Sequence, residues 1–394
     1  MNHLRHNTTS LKATLLLTGL ASTGTSVIWN GLPFVAKRDY GFSESETLSL
    51  YLLIGFVYLT GALISGRCTR LLQQYISMRA IMGALLLAVT FVCSLPLFFE
   101  ETSSWVIWSS GGVAGFCSSW LWPIVESYLV VGRHGKEMRR AIGWWNLVWM
   151  CSVASVMLAM APFMDEHASM IIVGLGVMNL FAICVLPMFP KNPPAHEPSV
   201  AKEHVPESYK SLLKGARVLL PLSYVINGVL SPLLPFVLTG IAIDITWQTP
   251  VVAIWMVTRV LATAVMWKTG GWHGKWSTLW LSLGAMATGF VCILAASGLP
   301  ILIVGLTLFG IGLGVTYYAA LYYAMAVGSA QVDAGGKHEA FIGGGYMAGP
   351  VLGLLSLQLA PKVDGSGFDT TIYIVLAIFV IATMALTVFW RKAR

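Results

Sequence analysis

The chain of 394 residues is 56% hydrophobic and only 10% charged. Soluble domains carry about 25% charged residues, so this composition excludes a soluble fold and predicts a membrane protein. The net charge of +7 does not indicate nucleic-acid binding, because the basic residues are scattered in short segments between apolar runs.

The first apolar run follows Arg5 and Lys12 and contains the small residues of LLLTGLASTG. A secretory signal peptide can begin in this way. The apolar character continues as far as Phe34, however. The first run is therefore predicted to be a membrane span.

Twelve apolar runs have the length of about 20 residues that a membrane-spanning helix needs. Their predicted limits are 13–36, 47–66, 79–98, 104–130, 141–161, 168–188, 216–240, 249–268, 277–297, 300–327, 339–360 and 370–390. The seventh run is interrupted by Pro221, Pro232 and Pro235, and the eleventh is rich in glycine. The predicted fold class is an all-α membrane protein with twelve transmembrane helices.

The distribution of Lys and Arg predicts the orientation of these spans. If the N-terminus is inside, twenty of these residues lie in the inner connections, and only Lys37, Arg38 and Lys362 lie in the outer ones. Arg259 remains, and it lies within a span. We therefore expect both termini to be cytoplasmic, in a cell membrane or an inner membrane.

One long connection, residues 190–211, separates six spans from six spans. Its sequence PKNPPAHEPSVAKEHVPESYK is rich in proline and charge, which predicts a flexible cytoplasmic linker. A shift of 199 residues places APFMD at 161–165 on APKVD at 360–364. The predicted domains are two six-helix bundles, 1–189 and 212–394, related by a pseudo-twofold axis along the membrane normal. Two parallel bundles of this kind are a transporter architecture, in which the binding site lies between the halves.

Three short motifs accompany this topology. The connection between spans two and three reads GRCTRLLQQYISMR over 66–79, Glu126 precedes Arg133 in ESYLVVGR, and GYMAGPVLG occupies 345–353. Together with the twelve spans, they resemble the major facilitator superfamily. The first motif departs from the family pattern, since Thr69 stands where an acid is usual. Span five also lacks the Gly-Pro pattern of the family's drug antiporters.

The resemblance implies a central cavity beside span eight, which contains Arg259 in the apolar run AIWMVTRVLATAVMW. Gln248, Val252, Trp255 and Thr263 share the same side of an ideal helix with this arginine. We expect Arg259 to hold an anionic or polar substrate group with its guanidinium fork. The alternative is a structural arginine that binds carbonyls and hydroxyls of neighbouring helices.

Spans one and seven each combine an amide with a proline, in NGLP from Asn30 and in NGVLSP from Asn227. The resemblance places both spans at the cavity, so the two amides are expected to bind substrate or, alternatively, to join helices. The aromatic residues expected at the cavity are Trp120, Trp255, Tyr317 and Tyr318. Trp144 and Trp145 are expected in the membrane-interface belt instead.

The resemblance also implies a cytoplasmic gate, formed by charges at the inner ends of the spans. The predicted gate residues are Arg67, Arg70, Glu126, Arg133, Arg140 and Glu339. Either Arg67 or Arg70 is expected to contact Glu339 when the cytoplasmic side is closed. Arg133 and Arg140 are alternative partners for Glu126.

The predicted function is secondary active transport of a small polar or amphipathic solute by alternating access. A multidrug efflux pump and a non-transporting sensor or scaffold are the two alternatives. The protein is expected to be a monomer. Its expected partners are a small-molecule substrate and the lipid bilayer, and a coupling ion, either H+ or Na+, is left open by the sequence. No motif indicates an enzyme, a cofactor or a metal site, because the glycines of GIGLG at 310–314 follow no strand.

Overall fold

The computed structural model describes residues 9–99, 103–133, 135–193, 206–327, 332–360 and 368–393. Twelve long helices follow one another in these ranges. They are α1 Leu11–Arg38, α2 Glu44–Leu72, α3 Met78–Cys93, α4 Trp105–Val130, α5 Gly135–Ala159, α6 Met170–Val185, α7 Glu207–Gly240, α8 Ile245–Lys268, α9 Trp276–Leu294, α10 Leu299–Val327, α11 Val332–Leu359 and α12 Asp369–Arg391. Below, α1–α6 are called the N-terminal half and α7–α12 the C-terminal half.

Eleven helices of the described chain are long and apolar enough to cross a membrane. The helix outside this set is α4, which is 26 residues long. Its serines, glycines and tryptophans lower its mean hydropathy, although its only charged residue is Glu126. The prediction of apolar spans is thus confirmed for eleven of the twelve, and the predicted fourth span is a helix of more mixed composition.

Most helices begin earlier than the predicted apolar runs, and the difference is largest for two of them. α7 begins at Glu207 instead of 216, and α11 begins at Val332 instead of 339. The predicted limits followed hydrophobicity, whereas a helix continues wherever its backbone hydrogen bonds can form. As a result, Glu339 lies about two turns inside α11 and not at its N-terminus.

α1 contains a π-helical turn over Val27–Gly31, between the α-helical segments Leu11–Ser26 and Leu32–Arg38. Pro33 lies just beyond this turn. A proline ring clashes with the carbonyl one turn earlier and has no N–H to donate, so the wider turn relieves the clash. Asn30 is part of the turn and is buried.

The two halves meet along paired helices. α2 packs along α11, and α5 packs along α8. Glycines permit the close approach of α11 to its neighbours. A Cβ on Gly55 of α2 would lie 2.6 Å from the carbonyl oxygen of Tyr346, and one on Gly345 would lie 2.6 Å from that of Pro221 on α7. The motif GYMAGPVLG therefore provides helix contact.

Lys37, in the last turn of α1, joins the two halves at one end of the molecule. Its Nζ donates hydrogen bonds to the carbonyl oxygen of Pro235 at 2.9 Å and to Thr239 Oγ1 at 2.5 Å. The ammonium group also lies 4.6 Å from the centre of the Phe236 ring. The next residue, Arg38, instead forms an ion pair within the N-terminal half.

The predicted linker and repeat are only partly described. Of residues 190–211, the structure describes 190–193 and 206–211, and 207–211 belong to α7. In the first copy of the predicted repeat, Ala161–Phe163 forms a short 3-10 turn after α5. The second copy, APKVD at 360–364, lies outside the described residues apart from Ala360.

Candidate functional site

A cavity of about 60 Å³ is lined by residues of both halves. A single water molecule needs about 10–15 Å³ on this measure, so the cavity has room for a few small molecules in this conformation. The N-terminal half contributes mainly aromatic side chains, which are Trp29, Tyr58, Trp122, Trp145 and Trp149. The C-terminal half contributes the two charged groups and further polar ones, which are Tyr224, Asn227, Arg259, Tyr317, Glu339 and Tyr346.

Arg259 of α8 lies in this cavity and is only 3% exposed. Its guanidinium carbon lies 4.8 Å from the ring centre of Trp149 and 5.1 Å from that of Tyr317. Its Nη2 donates a hydrogen bond of 3.3 Å to the Tyr224 hydroxyl. Its Nε has no hydrogen-bond partner, and no carboxylate of the described residues forms an ion pair with it. The guanidinium is therefore held by aromatic rings but not neutralised.

Helix packing fixes the position of Tyr317 over this guanidinium. α10 approaches α8 through the glycines of GIGLG. A Cβ on Gly314 would lie 2.8 Å from the Arg259 carbonyl oxygen, and one on Gly310 would contact the backbone of Trp255. Tyr317 follows Gly314 by about one turn and so lies beside the arginine side chain. The glycine motif therefore serves helix packing.

Glu339 of α11 is the one acidic residue among the described residues that line the cavity, and it is 4% exposed. The hydroxyl of Tyr58 on α2 donates a hydrogen bond to its Oε2. This bond crosses between the halves. Two charged groups of opposite sign thus share the cavity without forming an ion pair.

An aromatic stack closes part of the cavity. Trp29 of α1 lies parallel to Tyr346 of α11, with ring centres 3.6 Å apart and an interplanar angle of 11°. Asn227 Nδ2 donates a hydrogen bond of 3.0 Å to the Tyr346 hydroxyl. The Tyr224 hydroxyl accepts the hydrogen bond from Arg259, and the centre of the Tyr224 ring lies 5.0 Å from the centre of the Tyr346 ring. The stack and the arginine therefore belong to one continuous site.

Three further side chains of the cavity lining carry a buried polar atom without a partner among the described residues. These atoms are Ser22 Oγ, Asn30 Oδ1 and Trp145 Nε1. An unsatisfied buried polar atom costs about 1–3 kcal/mol in general. Such atoms in one cavity indicate that a polar molecule or water completes their hydrogen bonds.

Four of the seven predicted cavity residues line the cavity, namely Arg259, Asn30, Asn227 and Tyr317. The other three lie elsewhere. Trp255 stacks on Phe309 of α10, with ring centres 5.0 Å apart. Tyr318 packs near Trp272, and Trp120 donates its indole N–H to Thr69 Oγ1 at 2.6 Å. Helical periodicity identified the buried side of α8, but that side faces both the cavity and α10.

The cavity includes residues that the sequence did not single out. Trp145, expected in the interface belt, is 5% exposed and lines the cavity. Its neighbour Trp144 is 42% exposed, in agreement with a surface position. Trp29, Tyr58 and Tyr346 were also missed. The proximity of Trp29 to Asn30 and Pro33 was the one local signal for it.

The predicted gate residues lie in different environments. Arg67, Arg70 and Arg140 are exposed, and Glu126 is half-buried. Arg133 is buried, but it donates hydrogen bonds to the carbonyls of Leu129, Tyr128 and Thr9. The described hydrogen bond of Glu339 is to Tyr58, and neither Arg67 nor Arg70 forms an ion pair with it.

No group of three or more His, Cys, Asp or Glu residues in the described part of the chain could hold a metal ion. The six cysteines form no disulfide bond. Helices long and apolar enough to cross a membrane surround a small cavity with one arginine and one glutamate. These features define a multi-pass membrane protein with a cavity between its two halves.

The chain belongs to the Major Facilitator Superfamily, a family of membrane transporters, whose sequence pattern it matches over residues 14–336. It is therefore a transporter of this family and not an enzyme. The resemblance inferred from the sequence is thus confirmed. No curated protein sequence matches the chain.

Solved structures of transporters share its fold. The nucleoside transporter NupG has a TM-score of 0.68 at 10% identity, with 97% of this chain and 98% of that chain covered. The human organic anion transporter MFSD10 has a TM-score of 0.62 at 13% identity, with 98% of each chain covered. A bacterial homologue of the human lysosomal transporter Spinster has a TM-score of 0.61 at 14% identity, with 97% and 96% covered.

Proposed function

We propose that this protein is a secondary active transporter that moves a small polar or amphipathic solute by alternating access. The observation that carries the proposal is the buried Arg259 guanidinium, which faces a cavity between the two halves without a counterion. A buried charge is expensive and is retained in membrane proteins mainly at functional positions. An anionic or polar substrate group would complete its interactions.

Alternating access requires two bodies that move against each other. We propose that residues 1–189 and 212–394 are these bodies, two six-helix bundles joined by the linker 190–211. The pairing of α2 with α11 and of α5 with α8 supports this proposal, because a twofold axis would exchange these two pairs. The cavity then lies on the axis, where both bodies contribute residues.

The excess of Lys and Arg in alternate connections supports cytoplasmic termini. In that orientation, the contacts of Lys37 with α7 lie on the outer side of the membrane. They would hold the halves together on that side in this conformation. We propose a monomer, since the cavity is built from one chain.

We also propose that the coupling ion is H+ and that Glu339 carries it. Glu339 is the acid of the described cavity lining, and its bond to Tyr58 crosses between the halves. A proton would remove the negative charge from the cavity and change this bond. Na+ is less well supported, because the described residues offer one carboxylate there and Na+ favours several oxygen ligands.

The related structures do not select the substrate. Nucleosides are named for NupG and organic anions for MFSD10, and each protein is only 10% or 13% identical to this chain. At such identity the fold is shared, whereas the residues of the site differ freely. The substrate must be argued from the residues of this cavity.

Flux through purified protein in liposomes tests the proposal. Vesicles are loaded and assayed with a panel of labelled organic acids, nucleosides, sugars and amines, with and without an inward proton gradient. We expect saturable uptake of one chemical class, and its loss in Arg259→Gln but not in the exposed Arg391→Gln. Binding without flux under every gradient would instead support the sensor. Transport of several unrelated classes would support multidrug efflux.

A further inference from the structure

The walls of the cavity differ in chemistry and shape, so they restrict the substrate further than the cation of Arg259 alone does. We propose that the substrate is a small, flat aromatic monocarboxylate. This inference rests on the proposed transport function and deepens it by naming the substrate class.

The free donors of Arg259 favour a carboxylate. The described hydrogen bond of its guanidinium is the one from Nη2 to Tyr224 at 3.3 Å, and Nε has no partner. The rings of Trp149 and Tyr317 stabilise the charge but accept no strong hydrogen bond. A guanidinium with free N–H groups can bind the two oxygens of a carboxylate side by side.

The charge balance of the cavity favours a single negative charge. Arg259 is the one cation among the described lining residues, and Glu339 is the one carboxylate. With the proposed proton on Glu339, a monoanion would be neutralised by Arg259. A dianion would place an uncompensated charge beside Glu339 in a buried site, which is strongly unfavourable.

The stack of Trp29 on Tyr346 favours a flat ring. The two rings belong to different halves and lie parallel in direct contact, with their centres 3.6 Å apart. Separation of the halves would open a slot between two parallel aromatic faces. A planar ring fits such a slot and gains stacking energy on both sides, whereas a puckered ring does not.

The slot and the arginine are within reach of one small molecule. Tyr224 contacts both, since its hydroxyl accepts from Arg259 and its ring lies 5.0 Å from that of Tyr346. The cavity of about 60 Å³ is too small for a large ligand in this conformation. A single ring with a directly attached carboxylate would therefore span the site when the stack opens.

Three probes of nearly equal size and one larger dianion test the inference by isothermal titration with the purified full-length protein. They are benzoate, the uncharged benzamide, the non-planar cyclohexanecarboxylate and the dianion phthalate. We expect benzoate to bind, benzamide and phthalate not to bind measurably, and cyclohexanecarboxylate to bind about two- to tenfold more weakly. Equal affinity for benzoate and benzamide, or for benzoate and cyclohexanecarboxylate, would overturn the proposal.

Variants assign the effect to the named residues. Arg259→Gln should weaken benzoate binding about tenfold to a hundredfold, since it removes a charge-assisted pair. Arg259→Lys keeps the charge without the fork and should lie between the two, which guards against a variant that fails to fold. Trp29→Leu should abolish the preference for benzoate over cyclohexanecarboxylate. The exposed Arg391→Gln and Trp247→Leu are the matched controls and should bind as the wild type does.

The binding measurement and the flux measurement distinguish failure of the substrate inference from failure of the transport proposal. If the four probes bind in the expected order but no solute crosses the membrane, the transport proposal is wrong and the substrate class of the site stands. If other solutes are transported and benzoate does not bind, transport stands and the inference is wrong.

Discussion

The hydroxyl of Tyr58 on α2 donates a hydrogen bond to the carboxylate of Glu339 on α11, and this bond joins the two halves of the chain inside the cavity. Neither residue lies at a helix end. The contact is distinct from the predicted one of Arg67 or Arg70 with Glu339 in the state closed to the cytoplasm, which stays a prediction.

Removal of this bond should favour separated halves. A hydrogen bond to a charged group contributes about 1.5–3 kcal/mol. Tyr58→Phe should therefore shift the equilibrium between joined and separated halves about tenfold to a hundredfold toward separation. The measurement is the alkylation rate of a Ser22→Cys reporter in a background without the six native cysteines. Tyr75→Phe, at a position that is 84% exposed, is the control. Equal rates in both variants would show that the bond does not hold the halves together.

Neutralisation of Glu339 should abolish the uptake of solute driven by a proton gradient and leave the exchange of solute intact. Glu339→Gln resembles the protonated acid and cannot release a proton, so solute exchange should continue while uptake driven by a proton gradient is lost. Both rates are measured in liposomes, and the exposed Glu166→Gln is the control. Uptake that still follows the proton gradient in Glu339→Gln would assign coupling to another group.

A methyl group at two glycines should have opposite effects on stability. At Gly314 a Cβ would lie 2.8 Å from the Arg259 carbonyl oxygen, so Gly314→Ala should lower the melting temperature and move Tyr317 away from the arginine. At Gly284 of α9 a Cβ meets nothing within 4 Å. Gly284→Ala should therefore raise stability by about 0.5–1 kcal/mol through helix propensity alone. A similar response at both positions would contradict the packing of α10 on α8.

Loss of the Lys37 ammonium should loosen the end of the molecule where α1 meets α7. Lys37→Met keeps much of the side-chain length but removes two hydrogen bonds and the contact with Phe236. We expect faster alkylation of the Ser22→Cys reporter from the outer side of sealed vesicles. Arg38→Met removes a partly exposed ion pair of 3.6 Å to Asp165 and should change this rate little, because both partners belong to one half.

Two tryptophans should respond differently to loss of their indole N–H. Trp120 donates to Thr69 at 2.6 Å, so Trp120→Phe should destabilise the protein by about 0.5–1.5 kcal/mol. Trp145 Nε1 has no partner in the described structure, so Trp145→Phe loses no protein hydrogen bond. We expect a lower melting temperature for the first variant and a nearly unchanged one for the second. A marked loss in Trp145→Phe would indicate a structural partner.

Much of this architecture could be predicted from the sequence, because a membrane span leaves a long apolar signal. The charge of Arg259 in such a run and the amides beside prolines also identified cavity residues, since polar groups in apolar helices are conspicuous. Trp29 and Tyr346 gave no such signal. Aromatic residues are equally common in lipid belts and helix interfaces, and only the contact of Trp29 with Tyr346 in the folded structure distinguishes these environments.

The position of Glu339 could not be read from hydrophobicity for a related reason. The segment VDAGGKH before it is polar, so the apolar run appeared to start at 339. The backbone of α11 begins at Val332, and this places the carboxylate beside Tyr58 in the cavity. A helix limit that differs by two turns changes the expected role of the residue from a surface charge to a buried one.

The π-helical turn at Val27–Gly31 is a point at which one segment of α1 can rotate relative to the other. Such a turn accommodates one extra residue, and its conversion to an α-helical turn would rotate the following segment by about 100° relative to the preceding one. Leu32–Arg38, with Lys37 at its end, would then turn away from α7 while Leu11–Ser26 stayed in place. A single span could in this way release its outer end without tilting as a whole.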